Sequence, residues 1–318
     1  MRRVTLGATG LAPSWLGLGT LTMGPLQRGL PPAAGAAVVL AALRAGIAFI
    51  DCAQMYGTYE HVSLALSQWH GERPVLASKT TAADAAGARA AVREACAALG
   101  VPALDLFLLH MVRDEADLAR REPALAELHA CKREGLVRAV GATSHSVPMV
   151  ARLADDPRLD VLHPIVNRDG LGVLGGTLDG QLQALARARA RGAGVYAMKP
   201  LGGGRLGAVA GEAFAWLAGR PEIDAVVVGM TSADEVAVNV ALAQGAAPDP
   251  AQLAAVGAQR RRIFVNRSLC SGCGRCQAFC EHGAIALDET GKARPDHDRC
   301  VVCGYCMPGC PCFALRII

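Results

Sequence analysis

From residue 16 onward, short apolar runs alternate with longer segments rich in Ala, Leu and Arg that have helical period. Continuous apolar runs of this kind read as strands buried on both faces. Apolar positions recurring every three or four residues read as helices that cover a sheet. Candidate strands are 16–20, 48–51, 75–79, 104–110, 137–142, 161–166, 194–199 and 225–228. Helices are expected at about 34–46, 59–69, 84–99, 119–134, 147–155, 178–191, 206–219 and 232–243. Gly100 and Gly135 stand where helix ends favour a residue that tolerates positive φ. Eight strand–helix units within residues 1–245 predict a closed α/β (β/α)8 TIM barrel. An open doubly wound sheet is the competing architecture, but no Gly-x-Gly-x-x-Gly follows the first strand.

The strand ends carry chemistry. The stretch from Phe49 to Gly57 ends an apolar run on Asp51 and brings Tyr56 in a short loop. A carboxylate at such a strand end is poorly solvated unless a cation meets it. A lone Asp would read as a helix cap, yet Lys79 and His110 close two later apolar runs. Together Asp51, Tyr56, Lys79 and His110 form a candidate catalytic set for carbonyl reduction. Tyrosine ordinarily titrates near 10. A neighbouring ammonium favours phenolate, so Lys79 is expected to lower the Tyr56 value and make it a better acid. Asp51 would hold Lys79 in place, and His110 would orient the substrate oxygen.

Several motifs occur in a fixed order: Leu6-Gly7-Ala8-Thr9-Gly10-Leu11, Leu16-Gly17-Leu18-Gly19-Thr20, Phe49-Ile50-Asp51-x-Ala53-x-x-Tyr56-Gly57, Leu104-Asp105-Leu106-Phe107-Leu108-Leu109-His110, Gly135-Leu136-Val137-Arg138-Ala139-Val140-Gly141 and Pro200-Leu201-Gly202-Gly203-Gly204-Arg205-Leu206. In them the chain resembles the aldo-keto reductase family over roughly residues 3–243. The resemblance implies hydride transfer between NADP or NAD and a small carbonyl or alcohol. It also implies cofactor contacts at Gly19, Thr20, Ser144, His163, Met198, Leu201, Gly203, Arg205, Gly229 and Asn239.

The cofactor pocket departs from the family pattern. Thr143-Ser144 stands for a Ser-Asn pair, His163 for a glutamine and Met198 for a stacking aromatic. Lys199 follows where a small residue is usual. The cations for the 2′-phosphate of NADP fall at Gly229 and Glu235, while Asn239 is retained. Losing those cations removes charge-assisted hydrogen bonds, so a preference for NADP is in doubt and NAD or a weakened site is an alternative. Lys199 and Arg205 are candidates to compensate.

Beyond residue 245 the pattern changes. Pro248-Asp249-Pro250 opens a linker, expected over 246–262 with a short helix running to Arg260-Arg261-Arg262. That basic run reads as a solvated face or as a docking patch for an acidic redox partner. Of the 12 cysteines, Cys52, Cys96 and Cys131 are scattered and the rest lie between Cys270 and Cys312. Cys270-x2-Cys273-x2-Cys276-x3-Cys280 recurs as Cys300-x2-Cys303-x2-Cys306-x3-Cys310-Pro311. This is the two-cluster ferredoxin pattern, in which each fourth cysteine ligates the other cluster. It predicts a small α+β ferredoxin-like domain over 263–318 with two [4Fe–4S] clusters. Cys270, Cys273, Cys276 and Cys310 would hold one, and Cys300, Cys303, Cys306 and Cys280 the other. A zinc ribbon uses paired CxxC units without the third cysteine and the x3 step. Glu281 stands where the first motif would carry proline, and Cys312 lies outside the pattern.

Composition narrows the partners. A net charge of +4 on 318 residues is too mild to suggest nucleic acid, and no apolar run reaches the roughly 18 residues of a membrane span. A cytoplasmic protein is expected, since the stretch from Thr5 to Gly19 holds four glycines and a Pro-Ser pair and no coherent apolar region of an export signal, and in a reducing compartment clustered cysteines point to metal. One mismatch remains: clusters move single electrons, nicotinamide moves a hydride, and no flavin motif converts one to the other. Three readings follow. The first is a nicotinamide-dependent reductase with an attached electron-transfer module. The second is a cluster-driven oxidoreductase without nicotinamide, and the third a non-enzymatic redox sensor. In the family, the chain beyond the eighth helix crosses the carboxyl end of the barrel. The module is therefore expected beside the active-site mouth with one cluster facing it, the alternative being a mobile module on the flank.

Overall fold

A computed structural model of the chain describes residues 1–257, 262–312 and 314–317. Eight parallel strands close into a barrel in sequence order: β1 (Leu16–Gly19), β2 (Phe49–Asp51), β3 (Val75–Thr80), β4 (Leu104–Leu109), β5 (Val137–Ser144), β6 (Val161–Pro164), β7 (Gly194–Met198) and β8 (Ala225–Gly229), with β8 pairing back onto β1. The helices around it are α1 (Pro32–Arg44), α2 (Tyr59–Ser67), α3 (Ala85–Leu99), α4 (Glu115–Arg120), α5 (Glu122–Arg133), α6 (Val147–Ala154), α7 (Leu178–Ala190), α8 (Ala210–Ala218) and α9 (Ala233–Ala243). The predicted barrel is therefore the observed one.

Departures from the predicted elements have local causes. The helix expected at 119–134 is split into α4 and α5, because Pro123 lacks the N–H that a continuous helix needs and sits instead in the first turn of α5. The helix expected from residue 206 starts only at Ala210. Gly202, Gly203 and Gly204 all have positive φ and wind the chain through tight turns first. The run 104–110 stops pairing at Leu109, and the His110 N–H donates to Thr80 O at 2.8 Å.

Two layers of side chains fill the barrel. Inside it, Phe49, Ala77, Leu106, Leu108, Val161 and Tyr196 pack together with Leu6 and Leu11. Those two leucines come from an amino-terminal hairpin held by Val4 N–H to Pro13 O at 2.9 Å and Leu6 N–H to Leu11 O at 3.1 Å. The hairpin closes the end of the barrel where the strands begin, leaving the other end for chemistry. Outside the barrel, Ala, Val and Leu from the helices cover the outward faces of the strands. At the closed end, aspartates take backbone N–H groups that the parallel ladder leaves without a partner. Asp105 accepts from Leu76 N at 2.9 Å, Asp160 from Val140 N at 2.8 Å and Asp224 from Val195 N at 2.9 Å.

After α9, α10 (Pro250–Gly257) leads to a small module. Of the basic run suggested as a docking patch, Arg260 and Arg261 lie outside the described residues. β9 (Ile263–Val265) pairs antiparallel with β12 (Leu315–Ile317), and β10 (Ile285–Leu287) with β11 (Ala293–Pro295), flanking the single turn of α11 (Arg275–Ala278). Its core is a few aliphatic residues mixed with Cys270, Cys276 and Cys306. An apolar core this small does not support a domain by itself, so the cysteines must contribute through what they bind. No helix among the described residues is long and apolar enough to cross a membrane.

Asp105 is 1% exposed and also meets Arg73 and Arg138, whose side chains are largely solvated and add little. Asp105→Ala leaves the Leu76 N–H buried and unpaired. It is expected to destabilise the barrel by about 1–3 kcal/mol, measured as a lower urea midpoint at unchanged m-value.

Candidate active site at the barrel–module junction

The open end of the barrel gathers the predicted set. Lys79 Nζ donates to Asp51 Oδ2 at 2.6 Å and to Cys52 O at 2.7 Å, with both charged side chains fully buried. Tyr196 on β7 donates its hydroxyl to the other Asp51 oxygen at 3.1 Å. Asp51 is thus compensated on both oxygens, as a buried carboxylate requires. Tyr56 lies in a short turn whose last residue, Gly57, has φ +64°. Its ring centroid is 5.0 Å from Lys79 Nζ, and its hydroxyl is 3.5 Å from His110 Nε2.

One electrostatic expectation is corrected. Lys79 donates its hydrogen bonds to Asp51 and Cys52 O, and Nζ lies 5.0 Å from the centroid of the Tyr56 ring. Burial pushes the Tyr56 phenol well above its ordinary range, with Tyr305 and Asp51 adding to the effect. Tyr56 is therefore held as the protonated phenol. Burial likewise drives His110 far below the usual imidazole range, helped by Lys79, so it is a neutral ring. Its Nδ1 has no hydrogen-bond partner in the structure.

The third group at His110 comes from the module. Tyr305, between Cys303 and Cys306, places its hydroxyl 3.5 Å from His110 Nε2, the same nitrogen that faces Tyr56. Around it the module is pinned to the barrel. Gln27 donates to Val302 O at 3.0 Å, Arg205 donates to Asp298 O, and Glu281 accepts from His145 Nδ1 at 3.0 Å and approaches Arg113 at 3.4 Å. The His145–Glu281 contact is a hydrogen bond from a neutral ring, because burial pushes His145 down to about 4. Val301 O lies against Gly203 and Leu26 O against Gly304, so that a Cβ on either glycine would overlap a carbonyl. The module is docked at the mouth, as the first of the two placements expected.

Backbone strain gathers at the same place. Among the described residues, the non-glycine positions with positive φ are Met111 (54°), Lys199 (54°) and Val302 (51°). They follow His110, follow Met198 and lie between Cys300 and Cys303. Such conformations persist where surrounding contacts over-determine them, and they concentrate at functional sites.

The residues predicted to hold nicotinamide have other occupations. Gly19 and Gly229 pair with each other in the ladder between β1 and β8, and a Cβ on Gly229 would overlap Thr22. Thr20 hydrogen-bonds Thr58 at 2.7 Å, and Ser144 donates to Val112 O at 2.7 Å. His163 bonds the Tyr196 carbonyl through Nδ1 at 2.7 Å and stacks on the Tyr196 ring at 3.9 Å. Asn239 donates to Glu235 O at 2.8 Å, and Glu235 accepts from Thr231 N–H at 2.5 Å near the start of α9. Met198 and Leu201 stay half-buried, while Gly203 and Arg205 lie under residues 298–301 of the module. Within the loop 202–205 the module thus meets Gly203 and Arg205, while Gly204 stays exposed.

The cysteines form two rings. Cys270, Cys273, Cys276 and Cys310 line one small cavity, and Cys280, Cys300, Cys303 and Cys306 line another. These are the two cross-ligated foursomes read from the spacing. Among the described residues no three His, Cys, Asp or Glu side chains converge on a point that a single ion would occupy. Four cysteines around each cavity, in the spacing of a two-cluster ferredoxin, suit a polyatomic cluster ligated by four thiolates. Backbone N–H groups point at the sulfurs: Ala284 to Cys280 at 3.2 Å, Val302 to Cys300 at 3.4 Å and Ala314 to Cys310 at 3.3 Å. Such bonds stabilise cluster thiolates.

Tyr196, Tyr305, His145 and His282 were not singled out by the sequence. Tyr196 has the inward parity of Met198 on β7, which was a usable signal. Tyr305 carried none, because only docking brings it to His110.

A model of the aldo/keto reductase family matches residues 15–212, and a 4Fe-4S dicluster domain model matches residues 269–314. Pyruvate synthase subunit PorD of Methanocaldococcus jannaschii is 39% identical over 54 residues, which cover 17% of this chain and 63% of that protein. An aldo-keto reductase of Mycobacterium marinum is 32% identical over 143 residues, or 42% of this chain and 50% of its own. The chain thus spans less than two thirds of the length of these relatives. A solved structure of a Pseudomonas aeruginosa protein described as a putative aldo-keto reductase superposes with TM-score 0.65 and 27% identity, covering 76% of this chain and 94% of that one.

Burial pushes the His163 imidazole down to about 3, Asp51 opposing the effect only in part. The unfolded chain therefore takes up this proton first as pH falls. The stability contributed is fully present above about pH 6.5 and drains away as pH drops toward 3. Anaerobic urea unfolding at pH 7 and pH 5 is expected to differ by on the order of 1–3 kcal/mol, with a smaller difference in His163→Phe. An equal pH dependence in that variant would remove His163 as a source.

Proposed function

The chain belongs to the aldo/keto reductase family, and from that premise we propose that it is an oxidoreductase acting on a small carbonyl or alcohol at the Tyr56–His110 mouth, with two [4Fe–4S] clusters carrying the electrons in place of a nicotinamide. The observation that carries this reading is the docked module. Residues 298–301 lie on Gly203 and Arg205, and Tyr305 reaches His110. Residues suited to a pyrophosphate are engaged by protein, so no step is assigned to nicotinamide.

The clusters would be held by the two cysteine foursomes and would supply single electrons, received from a one-electron donor protein. Reduction of one carbonyl to an alcohol consumes two electrons, delivered one at a time, and two protons, of which the one added at carbon would come from water and the other is added at oxygen. The chain's own part is the proton at oxygen. Tyr56, kept as a neutral phenol by burial, donates it, and His110, a neutral ring, holds the substrate oxygen. Lys79 and Asp51 are positioning residues that fix the floor beneath Tyr56. The Tyr305 hydroxyl faces the same His110 nitrogen as Tyr56, so bound substrate would turn the Tyr305 side chain aside while its backbone stays docked. The domain limits that suit this division are 1–245, 246–262 and 263–318.

A hydride reading is favoured by family membership and by the intact set of Asp51, Tyr56, Lys79 and His110. It requires residues 298–305 to leave the loop that follows β7. NADH and NADPH titrated into anaerobically purified protein are expected to show no saturable change in nicotinamide fluorescence. Saturable binding would restore the hydride reading. Iron and sulfide analysis of the same sample should give about eight iron per chain, and zinc in place of iron would sink the cluster assignment.

Tyr56→Phe removes the proton donor while keeping the ring over Lys79. With reduced methyl viologen as electron donor and a panel of small aldehydes and ketones, turnover is expected to fall about 100-fold or more, with iron content unchanged. Near-normal turnover would take Tyr56 out of the acid role.

A further inference from the structure

The mouth is closed in this structure. Tyr56 is 6% exposed and His110 3%, so a substrate oxygen reaches neither unless something there moves. His110 is held through its backbone: its N–H donates to Thr80 O at 2.8 Å, and its carbonyl accepts from the buried Arg121 at 2.9 Å. Tyr56 is held in the same way. Its N–H donates to Ala53 O at 3.0 Å, and Gly24 packs so closely on its carbonyl that a Cβ there would overlap the oxygen. The backbone of the module is fixed by Val301 on Gly203, Gln27 on Val302 O and Gly304 on Leu26 O. The side chain of Tyr305 is held less firmly. It is half-buried, and its ring stands edge-on to His110 with centroids 6.4 Å apart. Its hydroxyl contact with His110, at 3.5 Å, is at the long end of hydrogen-bond distances and therefore weak. A ring with one open side and a weak tether changes rotamer without moving the backbone.

We propose that Tyr305 is the gate of the mouth and determines the size of carbonyl compound admitted. The inference rests on the reading above that substrate binds between Tyr56 and His110. When the ring turns aside, the space it vacates is that of one phenol. The backbone of residues 301–304 bounds that space and stays on the barrel. Small unbranched aldehydes and ketones fit such an opening, and a carbonyl flanked by a bulky branched group does not. Ring and hydroxyl then have separate parts. The ring sets the size limit. The hydroxyl holds the gate shut on His110 Nε2, the nitrogen that the substrate oxygen needs, and so competes with substrate. Tyr305 stands between Cys303 and Cys306, so the size limit of the barrel site is imposed by the cysteine module.

The test compares full-length, anaerobically purified wild type with Tyr305→Phe, Tyr305→Leu and Tyr305→Ala. Reduced methyl viologen is the electron donor, and propanal and pivaldehyde are the substrates. Tyr305→Ala is expected to raise kcat/KM for pivaldehyde relative to propanal about tenfold or more, with Tyr305→Leu between it and wild type. Tyr305→Phe keeps the ring, so its ratio is expected to stay that of wild type while KM for propanal falls and kcat holds. Calorimetry without electron donor should detect binding of neopentyl alcohol to Tyr305→Ala and none to wild type. An unchanged ratio in either truncated variant that retains full iron overturns the gate, as does a higher KM for propanal in Tyr305→Phe. Wild type that holds about eight iron per chain and reduces no propanal would instead overturn the reading of the mouth as the substrate site.

Discussion

The structure turns on a backbone-to-backbone contact between the module and the barrel mouth. Val301 O rests on Gly203, and Gly304 rests on Leu26 O, at a separation that leaves no room for a Cβ on either side. Contacts this close tolerate little sliding, so they fix where residues 298–305 lie. Three consequences follow from that placement. Tyr305 reaches His110, Gly203 and Arg205 in the loop after β7 are engaged, and the cavity ringed by Cys280, Cys300, Cys303 and Cys306 is the one that faces the barrel. The positive φ values at Lys199 and Val302 lie on the two sides of the same contact. Strain of this sort is maintained only by the packing around it.

Buried charge is handled differently on the two sides of the junction. In the barrel, Asp51 and Lys79 compensate each other at 2.6 Å, and Tyr196 completes the carboxylate. That pair is self-contained, which explains why it leaves Tyr56 a neutral phenol and does not draw it toward phenolate. Across the junction, Lys199 has no such partner in the barrel. His145, His282 and His163 are all pushed toward neutrality by burial, so none of them adds positive charge at neutral pH. Lys199 Nζ is buried without a hydrogen-bond partner, and burial lowers its pKa.

The module in turn depends on what its cysteines bind. Its aliphatic core consists of residues such as Ile263, Val265, Ile285 and Leu315, too few to stabilise a domain of this length unaided. Cluster ligation and docking are thus linked through one segment, since Cys300, Cys303 and Cys306 alternate with Val301, Val302, Gly304 and Tyr305. The cysteines ring the cavity, and Val301, Val302, Gly304 and Tyr305 between them make the contacts with the barrel. A change in either set is felt by the other across a single peptide bond.

The sequence alone determined the barrel, because alternating apolar runs and amphipathic segments obey local periodicities that a closed parallel sheet requires. It also determined the two cysteine foursomes, since ligand spacing within a loop is a local property and the crossed fourth cysteine follows from the repeat. The strand ends at Asp51, Lys79 and His110 were legible for the same reason. Tertiary structure decided the rest. Whether Lys79 acts on the Tyr56 oxygen or on its ring depends on the distance across the barrel. Glu281, read as an oddity in a cysteine motif, is the acceptor for His145 from a different domain. Gly203 and Arg205 look like parts of a dinucleotide site until Val301 and Asp298 are found engaging them. Those contacts join segments about a hundred residues apart, and no local pattern encodes them, because they are fixed only when two separately folded surfaces meet.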